Sequence, residues 1–558
     1  MGWLRRNAGL PRWRAGVLWL TLLALAICLS ATGFAQATTG TTEAPGVTVS
    51  DHALSSSVPP ESTAPPTQIP LTQDQAKDLF RSVDEILAFV SKDTNLPIVH
   101  SIKRKLISRD EVNRMLREKF DEDEGAKRLQ RAEVVLKKFG LLDRDFNLRP
   151  FMISLLTEQV AGFYDNKTKT VNLLDWIAPQ EQKPVLAHEL THALQDQRIG
   201  LAKWSQIGSD GIAKNAQEDN QHIQTDEADT ARDAVAEGQA MVVFLDYSLR
   251  ETGKTLEKSP ELSPRLKDLL SDSSGSPILA RAPLLIQQSL MFPYGEGLSF
   301  EDAILVRGGK DAAFSSVLAH PPNSTFEILH PSAYMAHAPV PVLRLPDIHS
   351  LIDADYTPYD VGVMGEFDVR ILTDLFGGEE IADALTPEWR GGIYYAAQRR
   401  SAVTAEQKSS AASIGLLYES KWKNEDSARS FLRVYAGQLP RKYAMLVRRT
   451  ADEADASEQV YSTEEGDVLL SIDGTSVFVS EGFPLELARK LRDRVTAAQS
   501  DEPLDVVRAG ATAKTFAAHS DASDFDPGIS LVRFFSSAGV MKAAMPDAQG
   551  DILLYGNH

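Results

Sequence analysis

Apolar residues along this chain fall into three kinds of pattern. The first is helical. Leu79, Phe80, Val83, Ile86, Leu87 and Val90 recur three and four residues apart, which predicts an amphipathic helix opening near Gln73. Residues 109–139 read as helix with charge on the outer face. Two further helices are predicted, one carrying Val185, Leu186, Leu190 and Leu194, the other over 226–250. The second pattern is alternation. It runs roughly over 98–107, and over 160–164 and 170–174, where Asp165, Asn166, Lys167 and Thr168 supply the turn of a hairpin. From Ser413 short strands at 416–418, 460–461, 468–472 and 476–479 alternate with helices at 425–439 and 484–497. The third pattern is the lack of one. Residues 38–72 are rich in Thr, Ser, Pro and Ala and cannot bury enough surface to fold. Residues 200–225 are polar and loop-like, 321–331 form a loop leading to Tyr334, and 338–347 are Pro-rich. Weaker helical signal fills the stretch to about Val317 and again 360–400.

These patterns predict an α+β protein in several parts. A mostly helical domain with a small mixed sheet covers 73–345. A helical connection follows over 346–412, then a small α+β unit over 413–498 and a poorly ordered, Asp-, Ala- and Ser-rich tail over 499–558. Ahead of them lies an export signal or N-terminal anchor, 1–37. Arg5, Arg6, Arg12 and Arg14 precede an uncharged apolar run, and Ala35-Gln36-Ala37 fits a small-x-small cleavage site. The protein is therefore expected outside the cytoplasm, secreted or in the periplasm or envelope of a bacterium, with a membrane anchor at the N-terminus as the alternative. The one cysteine, Cys28, lies in that signal, so the mature chain has no thiol ligand and no disulfide. The formal net charge of -19 argues against nucleic acid as a partner.

Chemistry concentrates on the helix around Leu190. His188 and His192 stand four apart and share one face, where two imidazoles can hold one metal ion. Glu189 flanks that face and is placed to act as a base. A catalytic zinc needs three protein ligands and an open position. Glu237 is the best third ligand, because it interrupts an otherwise apolar helical run. His222, Asp226, Glu227 and Asp229 compete with it, and a buried salt bridge to Lys or Arg is the alternative role for Glu237. Gly238 and Ala240 are small and would let this helix approach the histidine helix. Asp233, one turn before Glu237, is placed to orient a ligand imidazole. His330, Tyr334 and Tyr294 are candidate donors to a developing oxyanion.

The chain resembles the zincin metallopeptidases, in particular the Glu-zincin, thermolysin-like branch, through His188-Glu189-x-x-His192 and the downstream helix with Glu237. It is similar in more detail to exported bacterial peptidase-like zincins. The shared features are the hairpin Gly162 to Asp165, the helix His188 to Gln197, the segment Val235 to Ala240, and Ser324 to Tyr334. The resemblance spans roughly 73–345. It departs at Gln239, where Asp is expected, and at Phe326 and Glu327, where Glu and Gln are expected.

The resemblance implies zinc on His188, His192 and Glu237, with Glu189 as catalytic base. It also implies a strand edge at Gly162, Phe163 and Tyr164 that pairs with an extended protein or peptide substrate. The function expected is hydrolysis of peptide bonds. The alternatives are a catalytically inactive zincin-fold binding or scaffold protein, which would have no use for Glu189, and a structural envelope protein holding no metal.

Overall fold

The computed structural model describes residues 71–499, apart from 121–122, 205–211, 265–276 and 341, together with 552–554. The expected export segment and nearly all of the tether and tail lie outside the described residues. No described helix is long and apolar enough to cross a membrane.

The architecture is α+β. Helix α1 (Gln73–Thr94) opens on a reciprocal cap: Thr72 accepts from the Gln75 N–H, and the Gln75 side chain accepts from the Thr72 N–H. Its stripe of Leu79, Val83, Ile86, Leu87 and Val90 is buried. Strand β1 (Lys103–Ile107) occupies only the end of the alternating stretch. Residues 109–139 form two helices, α2 (Arg109–Phe120) and α3 (Asp123–Phe139). Helix α4 (Leu148–Gln159) runs into the hairpin β2 (Val160–Asp165) and β3 (Thr170–Leu174), turning where the sequence predicts. Then come three long helices, α5 (Pro179–Ile199), α6 (Ala228–Leu249) and α7 (Leu284–Lys310). Shorter helices connect them. One of these, Ala216–Thr225, falls in the stretch expected to be loop, and Asn215 caps it.

A four-stranded mixed sheet lies beside α5 in the order β1-β3-β2-β11, the last strand being Ile552–Leu554. Strand β1 is parallel to β3, and β3 is antiparallel to β2. Strand β11 (Ile552–Leu554) pairs antiparallel with the outer edge of β2, Ile552 opposite Phe163 and Leu554 opposite Val160.

The second sheet is larger than the sequence pattern suggests. It has seven antiparallel strands: β4 (Tyr356–Val363), β5 (Trp389–Arg399), β6 (Ile414–Trp422), β7 (Leu446–Arg448), β8 (Glu458–Thr463), β9 (Gly466–Asp473) and β10 (Ser476–Glu481). Their order is β4-β5-β6-β10-β9-β8-β7. Two of these strands lie within 346–412, so that stretch is no helical connection. Helix α8 (Glu366–Gly377) stands between them. The reason is burial on both faces. Ile393, Tyr394, Tyr395, Ala396 and Ala397 of β5 are all buried, and a strand covered on both sides loses its period of two. Helices α9 (Glu425–Lys442) and α10 (Leu485–Thr496) complete the unit.

Contacts join the described residues into one compact unit. Its main core runs from Leu79, Leu190 and Val235 in the helices to Tyr394, Leu416 and Tyr418 on one face of the seven-stranded sheet. A second core, with Tyr395, Leu417, Phe478 and Leu491, covers the other face.

Candidate metal centre

Helix α5 is anchored at both ends. Pro179 stands in its first turn, where a missing N–H costs nothing, and Gly200 ends it in the left-handed region. Near the start, the Gln182 carboxamide accepts from the Leu174 N–H and donates to the Leu174 carbonyl, 3.0 and 2.9 Å, tying α5 to the end of β3. Near the other end, Asp196 accepts from the Tyr164 hydroxyl at 2.9 Å and pairs with Lys169 at 2.5 Å. The stretch between carries His188, Glu189 and His192 on a helix locked against the hairpin.

Helix α6 supplies the third group. His188, His192 and Glu237 are fully buried, and one donor atom of each lies within 4.8 Å of the others. The Nε2 atoms of the two histidines are 3.0 Å apart. Glu237 Oε2 is 3.1 Å from His188 Nε2 and 3.6 Å from His192 Nε2. Two imidazole nitrogens and a carboxylate oxygen thus converge on one buried point, and a cation there answers all three. A tetrahedral set held at about 2.0–2.1 Å has edges of ~3.3 Å, so the triangle fits a metal of zinc's size. This group can hold a metal ion. Imidazole with carboxylate suits zinc and its transition-metal neighbours.

The alternative role for Glu237, a salt bridge with Lys or Arg, is not what the structure gives it. Its partners are the two imidazoles and the Tyr294 hydroxyl, which donates to Oε1 at 3.3 Å. The Tyr294 ring lies nearly parallel to His188, 6.3 Å between centroids. Tyr294 comes from α7, which approaches α6 closely because a glycine stands on each side. A Cβ at Gly238 would overlap the Gly297 carbonyl, and one at Gly297 would overlap the Ala234 carbonyl. Gly238 therefore admits α7, not the histidine helix as the spacing suggests.

Glu189 is also buried, and its Oε2 accepts the Tyr164 N–H at 2.8 Å. Strand β2 thereby touches the candidate base directly. A Cβ at Gly162 would stand 3.2 Å from Val185 Cγ1 and 3.9 Å from Glu189 Cγ, so this strand position is open toward the helix only because it is glycine. Phe163 and Tyr164 are buried.

Other candidates are held elsewhere. His330 Nε2 lies 2.7 Å from the buried Glu366 carboxylate, a hydrogen bond that raises the imidazole pKa against the opposing effect of burial. The Tyr334 hydroxyl donates to the His320 carbonyl at 2.6 Å. Asp226 accepts from the Val363 N–H at 2.8 Å, and Glu227 accepts from the Thr325 hydroxyl. His222 and Asp229 are buried outside the group of three, and Asp233 is buried one turn before Glu237.

One participant escapes the sequence reading. Gln195 Oε1 lies 2.8 Å from His192 Nδ1, behind the ligand imidazole. The signal for it is spacing, since a residue three after a ligand shares its helix face. Gln195 in turn donates to Gln239 at 2.8 Å. Beside Gln239 stands the fully buried Glu301, whose carboxyl burial holds well above the usual range.

Comparisons of the chain with family models, with curated proteins and with solved structures give no match.

Proposed function

We propose that this chain is an exported zinc metallopeptidase of the Glu-zincin kind. The observation that carries the reading is the buried convergence of His188, His192 and Glu237 with Glu189 one residue from the first ligand. When bound, zinc would supply a Lewis acid that lowers the pKa of its water to roughly 7.

The chain's own groups do the rest. Glu189 takes the proton of the attacking water and hands it to the leaving amine. The Tyr164 N–H donates to one carboxylate oxygen of Glu189 and so ties the base to strand β2. Tyr294 steadies Glu237 from the far side. The outer edge of β2 takes an extended peptide as an added antiparallel strand. Its pairing with β11 supports that assignment, because the same edge already accepts a segment of extended chain.

The test is cleavage of a denatured protein by the zinc-loaded mature chain and by Glu189→Gln. The proposal expects the variant to keep its zinc and lose cleavage by roughly 10²–10⁴-fold. Cleavage unaffected by the substitution, or a zinc-loaded parent that cleaves nothing, would overturn it. The second result would leave the non-catalytic scaffold.

A further inference from the structure

The amide pair behind His192 has a direction. It begins at the backbone carbonyl of Ala313, in the π-helical turn Asp311–Ser316 that follows α7. A carbonyl only accepts, so the Gln239 amide nitrogen must face it, and it does, at 2.6 Å. That turns Gln239 Oε1 toward Gln195. Gln195 must then present its own amide nitrogen, 2.8 Å away. A second carbonyl, that of Ala236, accepts from the same nitrogen at 3.1 Å and enforces the same orientation. Gln195 Oε1 is thereby left facing His192 Nδ1 at 2.8 Å. An oxygen there requires Nδ1 to carry the proton, which leaves the Nε2 lone pair pointing at His188 and Glu237.

We propose that Gln195 and Gln239 form a one-way amide relay, anchored on the Ala313 and Ala236 carbonyls, that holds His192 in its Nδ1–H tautomer with Nε2 presented to a metal. Both glutamines are positioning residues: neither touches substrate or the reacting atoms. The relay rests on His192 being a metal ligand, as in the proposed function. It also gives Gln239 a use. An aspartate there could still accept from Gln195, but its charge would meet the Ala313 carbonyl with no proton to offer. The neutral amide satisfies both neighbours.

The relay also grades its two members. Gln195 is the only one in contact with the imidazole, so its loss removes the acceptor outright. Loss of Gln239 leaves Gln195 still held by the Ala236 carbonyl.

The experiment uses full-length mature chain labelled with ¹⁵N-histidine, compared with Gln195→Met and Gln239→Met, substitutions of similar volume. In the metal-free protein at pH 8, the ring nitrogen shifts of His192, assigned by their absence in His192→Asn, report which nitrogen bears the proton. Zinc affinity is read separately by competition with a chromophoric chelator. The relay predicts Nδ1–H in the parent, a shift toward the other tautomer in Gln195→Met, and a 10–100-fold weaker zinc affinity there. It predicts a smaller loss in Gln239→Met. A role confined to packing would lower thermal stability and leave tautomer and affinity unchanged, and that result overturns the proposal. A parent that binds no zinc overturns the metal centre itself, and the relay with it. A parent that binds zinc and shows no tautomer change in Gln195→Met overturns the relay alone.

Discussion

Two of the fully buried glutamates, Glu481 and Glu237, are satisfied in different ways. Glu481, at the end of β10, accepts from the Tyr435 hydroxyl and the Lys442 ammonium, both at 2.5 Å, and from the Tyr443 hydroxyl. Burial pushes its pKa up, but the nearby Lys442 and Lys138 charges and these hydrogen bonds outweigh burial and hold it below the usual value. Glu237 is just as buried and has two imidazoles and one phenol in place of an ammonium. The difference is in what completes each site. Glu481 carries its cation within the fold and is structural. Glu237 instead belongs, with the two imidazoles, to a group that can hold a metal ion. A buried carboxylate is thus informative about function only once its partners are known.

Breaking the first pair should produce the largest effect. In Glu481→Gln, Lys442 is left buried without its counter-charge, and a loss of about 3–5 kcal/mol is expected in chemical denaturation, the same with or without zinc. The pH dependence follows the sign of the shift. Because the folded pKa of Glu481 lies below its usual 4.5, its contribution is present above that value and lost as pH falls through the folded pKa. The parent should therefore lose more stability below pH ~4.5 than Glu481→Gln does. Equal acid sensitivity in the two proteins would remove Glu481 as the structural member of the comparison.

A smaller effect should come from Gly297→Ala. The added methyl would overlap the Ala234 carbonyl, so α7 must move off α6, at a cost of about 1–3 kcal/mol. Because Tyr294 rides on α7 and Glu237 on α6, zinc affinity should fall along with stability, whereas Glu481→Gln lowers stability alone. Reduced stability with unchanged zinc affinity would show that α7 plays no part in setting Glu237.

Much of the centre is legible in the residues themselves. Two histidines four apart define a face, and a carboxylate inside an apolar helix needs a reason to be there. The hairpin can be read because β2 and β3 are joined by a short polar turn. What cannot be read has a common physical cause: it depends on elements far apart in sequence. The crossing at Gly238 looks equally suited to α5 or α7 until Gly297 is seen opposite. Tyr294 is one aromatic among several until its hydroxyl is placed on Glu237. The direction of the Gln195–Gln239 relay is set by a carbonyl at Ala313. In the second sheet the obstacle is different, since β5 is buried on both faces and lacks the alternation that marks a strand.

Whether Glu237 is a metal ligand is decided by metal analysis of purified mature protein beside Glu237→Gln. The expected result is one zinc per chain in the parent and background zinc in the variant. The metal-free stability of the variant should be equal to or higher than the parent's, because a neutral amide needs no cation. A parent without stoichiometric metal, or a variant that retains it, would rule out Glu237 as a metal ligand.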